Sequence, residues 1–199
     1  MNALENRPKI TGVVLSGGLS RRMGGQEKAL LKLKGKTMIR YTLEKLGPQV
    51  NTLIINANQH TEQYQQYGYP VIGDQFGNFD GPLAGIYTAL SYSNDPFLMV
   101  VPCDSPLISD NLVERLYSGI CNSKSLIAVA HDGERLQPVF ALISNQLNSS
   151  LESYLKTGQR KLDSWYVENR AAIVDFSDAK EMFLNINTAE DLVALEKKL

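Results

Sequence analysis

The sequence predicts an α/β fold of three layers with a mostly parallel central sheet, on three observations. Short, continuously apolar runs recur along the chain; amphipathic stretches of helical spacing separate them; and polar clusters follow several of the runs directly. A run apolar at every position suits a strand covered on both faces. Alternation of strands with helices favours a parallel sheet with helices on either side. The 199 residues allow one large domain or two small ones. With no low-complexity linker and no fixed-period repeat, a single domain over residues 1–199 is expected.

Ile10–Leu15 (ITGVVL), Thr52–Asn56 (TLIIN) and Phe97–Val101 (FLMVV) are the first strands. Between the first two, Met38, Ile39, Leu43 and Leu46 stand near helical spacing, with Thr37 placed to cap the helix and Gly47–Pro48 to end it. Leu83–Leu90 and Asn111–Tyr117 read as helices, the second capped by Ser109 or Asp110. Beyond Leu126 the pattern loosens. Residues 126–143 read as two strands joined by a polar turn at Asp132–Gly133–Glu134, followed by amphipathic segments around Leu147–Leu155 and Lys161–Val167. Ala171–Phe176 and Met182–Asn187 read as late strands. Residues 188–199 close the chain as a helix in which Thr188 and Asp191 have capping-box spacing.

The formal net charge of −1, with both signs interspersed, argues against a dominant nucleic-acid surface. No apolar run approaches the roughly 20 residues of a membrane span, and residues 1–9 lack the apolar core of a signal peptide. Cys103 and Cys121 have no metal-site spacing. Reduced thiols in a cytoplasmic protein are expected, with a single disulfide left open.

In an open parallel sheet, ligands sit outside the carboxyl ends of the strands. Four polar clusters fall there: the glycine loop after Leu15, Asn56 after LII, Asp74 after PVIG, and Asp104 after FLMVVPC. They predict one shared crevice. The loop matches neither the GxxxxGK[ST] nor the GxGxxG pattern. Gly17 and Gly18 nonetheless let backbone N–H groups close on an anion. Arg21, Arg22 and Lys28 add positive charge suited to phosphate. An ordinary surface turn is the competing reading of the glycine pair alone. Asp104 is placed to hold Mg²⁺, which takes one or two carboxylates plus substrate phosphate oxygens. Taken by itself, an Asp before Ser-Pro reads equally as an Asx turn. Asn56 and Asn58 read as base or ribose contacts or as turn closure, and Gly81 and Gly85 as close backbone approach or a tight turn. His60 and His131 read as structural or surface residues; Tyr64, Tyr67 and Tyr69 read as packing.

The ordered set LSGGxSRRMGxxxK, INAN, VIGD, DGPLAGI, PCDSP and NINTAEDL resembles the molybdenum cofactor guanylyltransferase family over nearly the whole chain. The resemblance implies a Rossmann-like nucleotidyltransferase fold. It also implies transfer of GMP from GTP to the phosphate of molybdenum-molybdopterin, giving the guanine dinucleotide cofactor and pyrophosphate. By position, Leu15, Ser16, Gly17 and Lys28 correspond to GTP-binding residues, and Asn56 and Asp74 to nucleotide recognition. Asp104 corresponds to the ligand of Mg²⁺, the implied cofactor. Gly18, Arg22, Gly81 and Gly85 match further motif positions, and Asn185 and Asn187 the pterin side. Residues 8–120 would then form the GTP-binding part and 121–199 the pterin-side part. Implied protein partners are transiently bound molybdenum cofactor insertion proteins or molybdoenzyme chaperones. Two positions depart from the family: Ser16, where Ala is usual, and Gln26, where Asp is common. Two enzymatic rivals share the loop, one acting on sugar phosphates and one transferring CMP to molybdopterin. A noncatalytic nucleotide-binding partner of molybdoenzymes is a third alternative, and a nicotinamide oxidoreductase is disfavoured by the missing dinucleotide fingerprint.

Overall fold

In the computed structural model, residues 7–16, 27–75, 81–184 and 191 are described. β1 (Ile10–Leu15) lies within a seven-stranded sheet, bonded in parallel to β4 (Thr52–Asn56) on one side and β6 (Phe97–Pro102) on the other. The short edge strand β5 (Val71–Ile72) extends the sheet beyond β4, again in parallel. On the far side the pattern changes. β7 (Ile127–His131) and β8 (Leu136–Ser144) form a hairpin, and β8 runs antiparallel between β6 and β7. β9 (Ala172–Asp175) closes that edge in parallel with β7. The order is β5-β4-β1-β6-β8-β7-β9, so the sheet is mixed but mostly parallel. A separate two-stranded hairpin, β2 (Lys32–Leu33) with β3 (Lys36–Thr37), follows the glycine loop.

Both faces of the sheet are covered, as the uninterrupted apolar runs require. Ile10 and Val14 of β1 enter one core with α1 (Met38–Leu46), α2 (Thr61–Gln65) and α4 (Leu112–Ser123), through Ile39, Leu43, Tyr64, Leu112 and Leu116. Val13 and Leu15 point the opposite way, as pleated neighbours must. They enter a second core with α3 (Pro82–Tyr92), α5 (Asn148–Lys156) and α6 (Leu162–Glu168), where Trp165 is fully buried. The alternation of strands and helices and the Asp132 turn are as expected from the sequence.

Three expectations about local structure are corrected. Met182–Phe183 are not strand. They end a 3₁₀ segment, Ser177–Phe183, because Phe183 stacks edge-to-face on Phe140 at 4.9 Å and on Phe176 at 6.2 Å. That inward demand outweighs strand pairing; the remainder of the anticipated strand, like the capping pair's Thr188, lies outside the described residues. α4 begins one residue later than expected and runs on to Ser123; neither Ser109 nor Asp110 caps it. The N-terminal Val113 N–H is met instead by Gln49 Oε1 at 3.1 Å, a side chain supplied from elsewhere in the fold. Thr37 does occupy the N-cap of α1, but its hydroxyl pairs with Tyr67 OH at 2.7 Å.

Candidate functional site

The chain moves outward from β1 through β4 and β5, then returns to the other flank of β1 with β6. This reversal places a crevice at the carboxyl ends of β1, β4 and β6. Leu15 ends β1, Ser16 follows it, Asn56 ends β4, Asp74 follows β5, and Asp104 lies two residues beyond β6. Backbone bonds sew these ends together: Ser16 N–H donates to Asn56 O at 2.8 Å, and Cys103 N–H to Leu15 O at 3.1 Å. Lys28 opens the 3₁₀ turn Lys28–Leu30 on the far side of the loop. Gly17, Gly18, Arg21, Arg22, Asn185 and Asn187 lie outside the described residues.

Asn56 and Asp74 form one unit. Asn56 Nδ2 donates to Asp74 Oδ1 at 2.9 Å and to Ile72 O at 3.3 Å, tying β4 to the segment after β5. The backbone of Gly85, on α3, faces the other atom of the same carboxamide. A Cβ there would stand 2.3 Å from Asn56 Oδ1, an overlap no side chain tolerates. Gly85 is thus the opening that lets Asn56 sit flat against α3. Gly81 caps α3 with φ +122°, a conformation in which a Cβ is strained. Gln75 N–H donates to Thr88 Oγ1 at 3.0 Å, anchoring the Asp74 segment to the same helix.

On the opposite wall, burial raises the Asp104 pKa above the ordinary carboxylate range, and the positive charge of Lys28 partly offsets the shift. The two predicted charges therefore act on one another. Among the described residues, no group of three or more His, Cys, Asp or Glu could hold a metal. A lone carboxylate suits a Mg²⁺ ion that completes its shell with substrate phosphates, rather than one caged by protein. Mg²⁺ would also relieve the cost of ionising Asp104.

Some participants were not anticipated. Thr42 is buried on α1, and its hydroxyl donates to Cys103 O at 3.1 Å, fixing the segment that carries Asp104. A threonine in the apolar stripe of a helix was its only signal. Asn58, read from the sequence as a base or ribose contact or as turn closure, holds Asp74 through two bonds. Ser16 Oγ and Tyr64 OH are buried without a hydrogen-bond partner among the described residues. Burial is the main cause that raises the pKa of both Tyr64 and Cys103, so the Cys103 thiol stays protonated. Cys103 and Cys121 are free. No helix among the described residues is long and apolar enough to cross a membrane.

Residues 12–172 match the family described as "MobA-like NTP transferase domain". The chain is 44% identical over 182 residues to a molybdenum cofactor guanylyltransferase of Shewanella sp. strain MR-4, covering 92% of each chain. It is 46% identical over 183 residues to one of Histophilus somni strain 2336, covering 92% of this chain and 94% of the other. Molybdopterin-guanine dinucleotide biosynthesis protein A of Archaeoglobus fulgidus superposes with a TM-score of 0.79 at 24% identity, over 94% and 97% of the two chains. The 4-diphosphocytidyl-2C-methyl-D-erythritol synthase of Anaerococcus prevotii superposes at 0.72 with 11% identity, covering 100% and 99%. The last two likenesses bear on the fold, which is that of nucleotidyltransferases. Matched by the family model over residues 12–172 and by relatives 44–46% identical over more than nine-tenths of its length, the chain belongs to the molybdenum cofactor guanylyltransferase family, within the MobA-like NTP transferases.

Proposed function

We propose that the chain transfers GMP from GTP to the terminal phosphate of molybdenum-bearing molybdopterin, releasing pyrophosphate. The observation that carries this reading is the convergence of polar groups at the carboxyl ends of the strands. The bonded pair Asn56 and Asp74, which we assign to the base, stands on one side of the β1 terminus, and the interacting charges Lys28 and Asp104 stand on the other. A nucleoside triphosphate laid across β1 would meet both at once.

The pterin phosphate is already ionised and needs no general base, so no catalytic histidine is required. What the protein supplies is alignment and compensation of charge. Lys28 stabilises negative charge growing on the α-phosphate and the departing pyrophosphate, with Arg22 as its partner from the glycine loop. Backbone N–H groups of Gly17 and Gly18 would cradle the triphosphate next to Ser16, whose own N–H is held by Asn56 O, with Gly81 setting the entry to α3. Asp104 would hold Mg²⁺, whose chemistry is to neutralise phosphate charge and fix the in-line geometry. Residues 8–120 then form the nucleotide side and 121–199 the pterin side, with Asn185 and Asn187 on the latter. A cytoplasmic site of action and transient hand-over to cofactor-insertion proteins or molybdoenzyme chaperones complete the reading.

The test is product formation from molybdenum-loaded molybdopterin with Mg-GTP or Mg-CTP. Pyrophosphate and a guanine dinucleotide are expected from GTP alone; no product from GTP, or a cytosine dinucleotide from CTP, overturns the proposal. Asp104→Ala is expected to remove metal-dependent turnover, with its far-ultraviolet circular dichroism unchanged. Near-normal turnover would take Asp104 out of the metal role.

A further inference from the structure

We propose that Asn58 is a positioning residue for base selection, locking the Asp74 carboxylate as a double acceptor for a purine that presents two adjacent N–H donors. The inference rests on the guanylyl-transfer reading and deepens it. Asn58 lies two residues beyond β4, and its carboxamide grips Asp74 at two points. Nδ2 donates to Asp74 Oδ2 at 2.8 Å, while Oδ1 accepts the Asp74 backbone N–H at 2.7 Å. A planar amide bonded to both the backbone and the carboxylate of one residue fixes that residue's side-chain torsions. Asn56 completes the clamp by donating to the other oxygen, Oδ1, at 2.9 Å.

The clamp defines which lone pairs remain. A carboxylate has two oxygens and about four acceptor sites. Each Asp74 oxygen is given one amide donor, so each keeps an acceptor site for a ligand, in an orientation set by two asparagines. Guanine offers N1–H and N2–H side by side and satisfies both sites. Hypoxanthine offers only N1–H. Adenine puts its N1 lone pair against one of the oxygens, which is repulsive. A carboxylate free to rotate would relax around each base and discriminate less, because specificity arises from groups that cannot adapt to the wrong ligand. An asparagine serving only to close a turn would bond backbone groups. Here the amide N–H goes to the carboxylate itself. Asn58 is exposed, and amide–carboxylate bonds at such a position add little to folding, so its effect belongs to selection.

The experiment compares kcat/KM for GTP and ITP, with equilibrium binding of both nucleotides, in the wild type, Asn58→Ala and Asn58→Asp. In Asn58→Ala the preference for GTP over ITP is expected to fall about tenfold, the scale of one charge-assisted hydrogen bond. The change should be carried by KM for GTP rather than kcat, with the melting temperature retained. Asn58→Asp keeps the acceptor for the Asp74 N–H but sets carboxylate against carboxylate, so its preference should fall further. Equal losses for GTP and ITP, or an unchanged ratio in both variants, would overturn the inference. Asp74→Asn separates the two levels of the argument. A collapse of the GTP preference is expected there. Retention of the wild-type preference would show that Asp74 does not read the base, and the Asn58 proposal would fall with that reading.

Discussion

Gly85 shows how a residue with no side chain can determine where a neighbouring side chain lies. Its packing against Asn56 leaves no room for a methyl group, since the 2.3 Å separation puts the added carbon inside the carboxamide oxygen. Asn56 would have to swing away and release Asp74 Oδ1. Gly85→Ala is therefore expected to cost about 1–3 kcal/mol in urea unfolding, the usual penalty for overpacking, and to weaken GTP binding in the same variant. Normal GTP affinity in a destabilised protein would separate the packing from the site. The placement of Asp104 and Asn56 at strand ends was legible in the sequence because each stands at the end of an apolar run. The Asn58 clamp and the Thr42 bond were not legible. Both depend on which side chain meets which across sixteen or sixty-one residues of chain, and no local pattern encodes such pairings.

The strands buried along most of their length were the easiest elements to read, as β1, β4 and β6 are largely apolar and lie inside the sheet. Helices with a clear stripe followed: α1 has the ends expected, whereas those of α3 and α4 are shifted by a residue or more. Errors arose where tertiary contacts outweighed local preference. Met182 and Phe183 are apolar neighbours in a stretch that alternates like a strand, yet the aromatic cluster with Phe140 and Phe176 turns them into a 3₁₀ plug beneath β8. Phe183→Ala should accordingly cost about 3 kcal/mol, the loss of a large buried aromatic, seen as a lower midpoint in denaturant. A loss below about 1 kcal/mol would mean that the segment does not anchor this face. The short β2–β3 hairpin escaped notice altogether. Its strands are two residues each, too brief for alternation to register.

For the molecule as a whole, the two-faced core followed from composition and patterning, whereas the change of direction at β8 did not. Apolar strands read the same forwards and backwards, and the short turn at 132–135 was the one clue that β7 and β8 run antiparallel. That turn also affects acid stability. Backbone N–H groups of Arg135 and Glu134, then the Gln137 amide and the Arg135 charge, hold the Asp132 pKa down to about 2. A carboxylate depressed in the folded state stabilises it above the ordinary carboxylate range, and this contribution disappears as the pH falls through about 2. Asp132→Asn should lower the denaturant midpoint at pH 7, with the gap to wild type closing as the pH approaches 2. A gap independent of pH would assign the effect to packing rather than charge.

The strand order also dictates what the chain must wait for as it is synthesised. β1 emerges first but is bonded on one side to residues beginning at Thr52 and on the other to residues beginning at Phe97. β6 in turn lacks its outer neighbour until Leu136–Ser144 appears. A nascent chain halted near residue 125 would therefore carry β1, β4, β5 and β6 together with a bare apolar strand edge, the feature that drives edge-to-edge association. The antiparallel strand β8 is thus the piece whose arrival ends the aggregation hazard of the parallel part of the sheet that precedes it.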